Sequence, residues 1–398
     1  MSVFVAIIGL AFLILIHEAG HFFTALAVGM RPRKFYIGFP PPLVRLRRRG
    51  IEYGIGAIPL GGYVKIPGMH RPAARDLDYH LQRAMTQAPE LVQALEAVKR
   101  PLARGDYDEA RAALDQLENA MREAGQPTEV LTDVRDGLSP DAYWRQRAWK
   151  KVLVIFAGPG TNALFAILIF AVLFMVGGGK ATTTVADVLA KSPAAQMGVR
   201  SGDRILAVSG QRVANPSDIP RIISHSGGRT VTLLVNRDGR TVTLGPTRPE
   251  KTGGAYRLGF VLKGKGLAAP AALKESVRLT AFVSRDIVAS LGNIVHRKGR
   301  EDISSPVGIV QGSSAAVSQG LQSYLWVLGL ISLSLALLNL LPILPLDVAH
   351  IFFSLLEAVR GRAVAREVYE RVSAIGIGLV LLLFFIGLSN DVGRIGGG

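Results

Sequence analysis

Residues 17–21 read His17-Glu18-Ala19-Gly20-His21, inside a run over residues 3–30 that is otherwise apolar enough and long enough to cross a bilayer. On a helix the two histidines lie one turn apart on one face, where both imidazoles can converge on a zinc ion, and Glu18 beside them is placed to activate a water. The setting adds weight to the pattern. An ionisable side chain in hydrocarbon costs roughly 3 kcal/mol or more, and it persists mainly where it serves an ion pathway, a sensor or a catalytic centre. Polar glue between helices is the plainer reading and a transmembrane metallohydrolase the sharper one; the rest of the chain decides between them.

Nearly half of the residues (49%) are hydrophobic, which suits a membrane protein, and the chain has no cysteine. Neither a disulfide framework nor a Cys-based zinc or redox site is therefore available, and histidine and carboxylate are the strong ligand types that remain. A formal charge of +16 raises the question of nucleic acid. The positive residues instead cluster at Arg31, Arg33 and Lys34, at 45–49 and at 145–151, beside apolar runs, where the cytoplasmic side and lipid headgroups account for them. No nucleic-acid partner is expected.

Apolar runs of spanning length occur near residues 3–28, 152–176, 323–343 and 373–389, predicting four transmembrane helices. Basic residues follow the first run, precede the second, and lie between the third and fourth at Arg360, Arg362, Arg366 and Arg371. Placing all of them inside puts both termini and residues 180–320 outside and residues 71–140 in the cytoplasm. The first run has neither a basic leader nor a small-residue cleavage site ahead of the histidine motif, so a retained helix is expected rather than a signal peptide.

Between the runs the character changes repeatedly. Residues 35–69 hold short β-prone segments punctuated by Gly and Pro, including Pro59-Leu60-Gly61-Gly62-Tyr63-Val64-Lys65, and predict a membrane-associated β ribbon whose open edge could take an extended peptide by strand addition. Residues 71–140 are rich in Ala, Leu, Glu and Arg, with a Gly105-Asp106 break, and predict a helical hairpin that serves either as an appendage or as a docking point for a cytoplasmic partner. The second run opens with Ala157-Gly158-Pro159-Gly160-Thr161-Asn162, where small residues permit close packing on the metal-bearing helix and the Asn162 amide needs a partner, either structural or in substrate positioning. From Thr183 to about Leu262 alternating strands form a small domain that resembles a circularly permuted bacterial PDZ domain, most clearly over Ser192-Pro193-Ala194 and Gly202-Asp203-Arg204-Ile205. Residues 273–295 read as an amphipathic helix suited to a membrane surface.

Zinc needs a third protein ligand and an open position. Three candidates lie near the end of the third run: Asp347, His350 and Glu357. Pro342 and Pro345 break the helix just before Asp347 and can turn it toward a neighbour, which favours the aspartate. Asn339 is a candidate to hydrogen-bond substrate backbone or the loop itself.

Together the histidine motif, residues 59–65, 157–162 and the PDZ-like domain, Ser305-Pro306-Val307-Gly308-Ile309, and Asn339 through Asp347 resemble the bacterial site-2 intramembrane metalloproteases of the regulator-of-sigma-E type. The resemblance covers the chain apart from the helical insert. It implies that His17, His21 and Asp347 hold Zn2+, that Glu18 activates water, that Asn339 helps position substrate, and that the chain sits in the bacterial inner membrane. It also implies that trimmed anti-sigma factors or remnant signal peptides, both single-pass segments, are cut within the bilayer. Two positions depart from the pattern: Val348-Ala349 stand where Gly-Gly is usual, and Ser305 where Gly is usual. A membrane adaptor that binds clients through its PDZ-like domain without cutting them is the alternative; a secondary transporter is disfavoured because the spans show no paired repeats.

The expected architecture is thus a mainly α polytopic protein. Residues 1–70 hold the first span and the ribbon, 71–150 the cytoplasmic insert, 151–180 the second span and 181–264 the PDZ-like domain. Residues 265–320 form an external linker with the amphipathic helix, 321–350 the third span and metal-ligand loop, 351–371 a cytoplasmic connection, and 372–398 the last span.

Overall fold

The computed structural model describes residues 1–69, 71–74, 77–78, 81, 86–252, 254–295, 305–341, 347–360 and 366–396. Among the described residues four helices are long and apolar enough to cross a membrane: Ser2–Ala27, Ala148–Gly178, Leu321–Asn339 and Arg371–Gly393. The expected spans therefore stand, with the second starting a few residues earlier than expected. The third helix ends at Asn339; Pro342 and Pro345 lie outside the described residues. Helix α1 (Ser2–Ala27) shows how such a span is built: Ala6, Gly9, Leu13, His17, Gly20, His21 and Ala25 recur every three or four residues and are buried. Phe4, Ile8, Phe12 and Phe23, on its other side, are exposed. An apolar outer face is what lipid requires, and small or polar residues are left for the face that meets other helices.

After α1 the chain forms β1 (Lys34–Arg48) and β2 (Ile51–Lys65), the expected ribbon. Residues 34–37 pair with 52–55 on one side and with 62–65 on the other, so 62–65 forms one edge of the sheet and 44–48 the other. Phe22 of α1 packs edge-on against Phe35 and Tyr53, with ring centroids 5.0 and 5.9 Å apart, and this fastens the ribbon to the helix. Leu43, Val44, Leu46, Ile55 and Ile58 remain exposed, an apolar surface suited to the bilayer. Tyr36 donates its hydroxyl proton to Glu52 at 2.6 Å. That bond pushes the phenol up to about 12 and holds the Glu52 carboxyl below its ordinary range.

The insert is helical, as expected: α2 (Leu91–Arg104), α3 (Tyr107–Glu123) and α4 (Thr132–Leu138). The Gly105-Asp106 break ends one helix and starts the next. Gly105 takes the left-handed conformation that closes α2, and the Asp106 carboxylate caps α3 by accepting from the Glu109 N–H at 3.0 Å. Leu91, Leu95, Val98, Leu114, Leu117, Met121, Leu131 and Leu138 give the insert a core of its own.

Helix α5 (Ala148–Leu173) continues into one π-helical turn, and beyond it lies the β domain. Its strands are β3 (Lys180–Val188), β4 (Arg204–Val208), β5 (Gln211–Arg212), β6 (Val231–Arg237), β7 (Arg240–Thr247) and, after a small hairpin of β8 (Glu250–Thr252) and β9 (Ala255–Arg257), β10 (Phe260–Lys265). The main sheet has the order β10-β3-β4-β6-β7, with β5 paired to β4. Short helices α6 (Pro193–Gln196) and α7 (Asp218–His225) complete a PDZ-like unit whose core includes Val185, Ile205, Ile219, Leu233 and Val235. Contact density separates this unit, residues 167–283, from a second made of residues 1–166 and 284–398. The chain then continues through α8 (Ala269–Val295), α9 (Pro306–Ser318), α10 (Leu321–Asn339), α11 (Asp347–Arg360) and α12 (Arg366–Gly396).

Both departures from the family pattern have a local explanation. Asp347 opens α11, so Val348 and Ala349 lie in a first helical turn, which needs no glycine. Ser305 is the N-cap of α9: its Oγ accepts from the Val307 N–H at 3.1 Å and donates to Asp391 of α12 at 2.6 Å.

Asp203, from the motif that carries the PDZ resemblance, is 1% exposed and accepts two hydrogen bonds from Arg237, each 2.8 Å, and one from the Arg200 N–H. Burial by itself would raise this carboxyl, but the Arg237 and Arg200 hydrogen bonds outweigh it and hold it below the ordinary range. A depressed folded value stabilises the domain above the unfolded value, near 4, and the contribution is lost as pH falls through the folded one. Protection factors of the β4 and β6 amides in the full chain, referred to intrinsic rates at each pH, should therefore fall selectively on acidification below about pH 4. Asp203→Ala should reproduce that loosening at neutral pH, with a cost of about 3 kcal/mol.

Candidate metal centre

His17 and His21 stand on the buried face of α1, and Asp347 is brought to them by the start of α11. The His17 Nε2 lies 3.1 Å and the His21 Nε2 3.4 Å from the Asp347 Oδ2, and the two ring nitrogens are 3.3 Å apart. Among the described residues these three form the group able to hold a metal ion. Glu357 instead lies 4.0 Å from Lys151 of α5, and His350 is half-buried on α11 outside that group.

The tautomers of both rings follow from their outer nitrogens. His21 Nδ1 lies 2.8 Å from the Val154 carbonyl oxygen, which can only accept, so the proton sits on Nδ1. Asn162 is fully buried with its Nδ2 3.5 Å from His17 Nδ1, while its Oδ1 has no hydrogen-bond partner among the described residues. Turning the amide over makes Oδ1 the acceptor for a His17 Nδ1–H, the tautomer that leaves the Nε2 lone pair free for a cation. Each Nε2 then carries a lone pair aimed at the other and at a carboxylate oxygen. Three acceptors facing one another repel unless a cation lies between them. A tetrahedral zinc with bonds of about 2.0–2.1 Å needs ligand atoms about 3.3 Å apart, which the three observed separations match.

Helix α5 supplies the wall of the site. A β-carbon on Gly158 would stand 2.2 Å from His21 Nε2 and 2.8 Å from His17 Nε2, and one on Gly20 would stand 2.5 Å from the Ala157 carbonyl oxygen. Two glycines, one on each helix, thus set the approach of α1 and α5. Thr161 adds a bond from its Oγ1 to the Ile16 carbonyl at 3.1 Å. The sequence suggested close packing here but did not identify Gly158 or the Val154 carbonyl as parts of the site.

Glu18 is half-buried beside the ligands. The edge strand of the ribbon passes next to it: a β-carbon on Gly62 would come within 3.0 Å of the Glu18 Cγ. Asn339 is half-buried at the last position of α10.

A family model described as peptidase family M50 matches residues 5–383. The chain belongs to peptidase family M50. Similar proteins include a candidate zinc metalloprotease of Mesorhizobium japonicum, 30% identical with 95% of this chain and 94% of the relative covered. Another of Agrobacterium fabrum is 29% identical over 97% and 94%. Zinc metalloprotease RasP of Geobacillus kaustophilus is 27% identical over 96% and 95%. With the His-His-Asp cluster and four spanning helices, family membership makes this M50 chain an intramembrane metalloprotease of the site-2 type.

Because any methyl group at Gly158 collides with both imidazoles, Gly158→Ala in this M50 protease should lower metal affinity at least about tenfold while leaving the helical signal in detergent unchanged. Metal competition titration checks it, and full metal occupancy in the variant would contradict the packing argument.

Proposed function

We propose that His17, His21 and Asp347 hold Zn2+ and that Glu18 is the general base and acid for hydrolysis of one peptide bond in a single-pass transmembrane segment. The separations of 3.1, 3.3 and 3.4 Å among three acceptors are the observation that carries this reading. Bound zinc would supply Lewis acidity, making water acidic enough to attack a carbonyl near neutral pH. Glu18 takes the proton of the attacking water and returns it to the leaving amide nitrogen, and its half-buried setting limits competition from bulk solvent. Asn162 and the Val154 carbonyl act through the histidines by fixing their tautomers.

A transmembrane helix hides its carbonyls in its own hydrogen bonds, so substrate must be extended before it is cut. The edge strand 62–65 pairs with 34–37 on one side and meets Glu18 through the Val64 N–H, which places it to receive an extended segment, with Asn339 as a further hydrogen-bonding group at the end of α10. Trimmed anti-sigma factors and remnant signal peptides are the substrate class we favour. The basic clusters support a bacterial inner-membrane topology with the insert cytoplasmic and both termini and the PDZ-like domain outside, where that domain selects or size-limits substrates. The adaptor alternative draws no support from Val348 and Ala349, which lie in a regular helical turn.

With zinc-loaded protein and a transmembrane substrate in micelles, Glu18→Gln should cut at least about a hundredfold more slowly while keeping its zinc. Asp347→Asn should lose both zinc and cleavage, with the helical content retained. Equal fragment yields from wild type and Glu18→Gln would overturn the proposal.

A further inference from the structure

The helical insert lies outside the resemblance that carries the metal centre, yet it grips the ribbon at one place. Arg33, just before β1, points its Nε at the Asp136 Oδ1 (2.9 Å) and its two terminal nitrogens at the Asp141 carboxylate (3.1 Å each). Lys65, the last residue of β2, reaches Asp133 at 2.8 Å and Asp136 at 3.4 Å. Asp133 and Asp136 are three residues apart on α4, so both carboxylates face the ribbon. The two cations are neighbours at one end of the ribbon, since the Arg33 N–H donates to the Lys65 carbonyl at 2.7 Å. Backbone bonds from Tyr143 N–H to Pro67 and from Trp144 N–H to Gly68 extend the seam by two residues.

Asp133 is a surface partner, 74% exposed, but the pairs of Asp136 and Asp141 are not loose surface pairs. The side chains of Asp136 and Asp141 are 9% and 18% exposed, and that of Arg33 is 29% exposed. Burial alone would raise the Asp141 carboxyl, but the hydrogen bonds from Arg33 and Ser139 outweigh it and hold it below its ordinary range. Partly desolvated and bidentate pairs constrain geometry far more than exposed ones do. The insert has an apolar core of its own, and its Tyr143 also packs with Met30, Ile66 and Val154, a cluster against which Val64 of the strand is partly buried. The charge pairs add to that contact the directional link between the insert and the end of the strand.

We infer that the insert holds strand 62–65 against Glu18, with Asp133, Asp136 and Asp141 as positioning residues that act through Lys65 and Arg33. Lys65 is the end of the strand whose Gly62 lies against the Glu18 side chain, so releasing Lys65 releases the strand beside the reacting atoms. The effect on cleavage rests on the reading of 62–65 as the strand that receives substrate. The effect on the strand itself does not.

The test uses the full zinc-loaded chain in micelles. In Asp136→Asn/Asp141→Asn, amide exchange over 62–65 should rise about tenfold, with zinc content and the protection of α2 and α3 unchanged. The KM for a transmembrane substrate should rise more than kcat falls. Lys65→Arg should behave as wild type, and Lys65→Gln should not. If the double variant also loosens α2 and α3, Arg33→Gln/Lys65→Gln breaks the same seam from the ribbon side without touching the insert. Unchanged exchange over 62–65 in that variant overturns the inference. Faster exchange with an unchanged KM supports the seam and instead removes 62–65 as the substrate strand.

Discussion

Three electron-pair donors held 3.1–3.4 Å apart in an apolar bundle set the terms for the rest of the membrane unit. Such a group is repulsive by itself and must be held by its surroundings until a cation joins it. The holding is distributed. The Val154 carbonyl orients His21, Asn162 orients His17, and Ser332 of α10 donates to the backbone carbonyl of Asn162 at 2.8 Å. Gly20 and Gly158 let α1 and α5 come close enough for those bonds to form at all. A small residue on a membrane helix is therefore as much a part of this centre as a ligand is, because without a hydrophobic driving force between helices in lipid, close contact has to come from shape.

The same economy governs the last helix. Asp391 of α12 is 2% exposed, a carboxylate in a span otherwise dominated by leucine, isoleucine and phenylalanine. It accepts from the Ser305 N–H at 2.8 Å, the Ser305 hydroxyl at 2.6 Å and the Gly308 N–H at 3.0 Å, all at the N-terminus of α9. A helix start presents N–H groups with no partner in their own helix and favours negative charge, so the start of α9 compensates this buried anion. Ser305, where the family pattern has glycine, adds the hydroxyl donor, and Gly308 has no room for a β-carbon because the Asp391 carboxylate would lie 2.4 Å from it.

How much of this was legible in the sequence depends on whether an interaction is encoded in a local pattern. The four spans, the ribbon, the helical insert and the PDZ-like domain announce themselves through periodicity, length and turn residues, and the mainly helical fold with its four spans and separate β regions agrees with that reading. His17 and His21 were readable because a helix puts them on one face. Asp347 needed the resemblance as well, since 330 residues separate it from His17 and two other candidates stood nearby. The Val154 carbonyl was not readable, because every residue has one and nothing in the side chain says which will face a histidine. The pairing of Arg33 with Asp136 and Asp141 was hidden in the same way. Each of those residues looks, on its own, like an ordinary surface charge.

That difference bears on how the two halves of the ribbon's work are secured. The edge strand is fixed on one side by sequence-local means, the pairing of 62–65 with 34–37 and the stacking of Tyr63 on Tyr36 with ring centroids 5.2 Å apart. Its far end is fixed by charges contributed by a segment that folds around its own core. A strand with one open edge loses register easily unless something besides pairing pins it. Under the proposed function the edge receives substrate, and Lys65 at the strand's end, together with the bond from the Val64 N–H to Glu18, holds the strand in place for it.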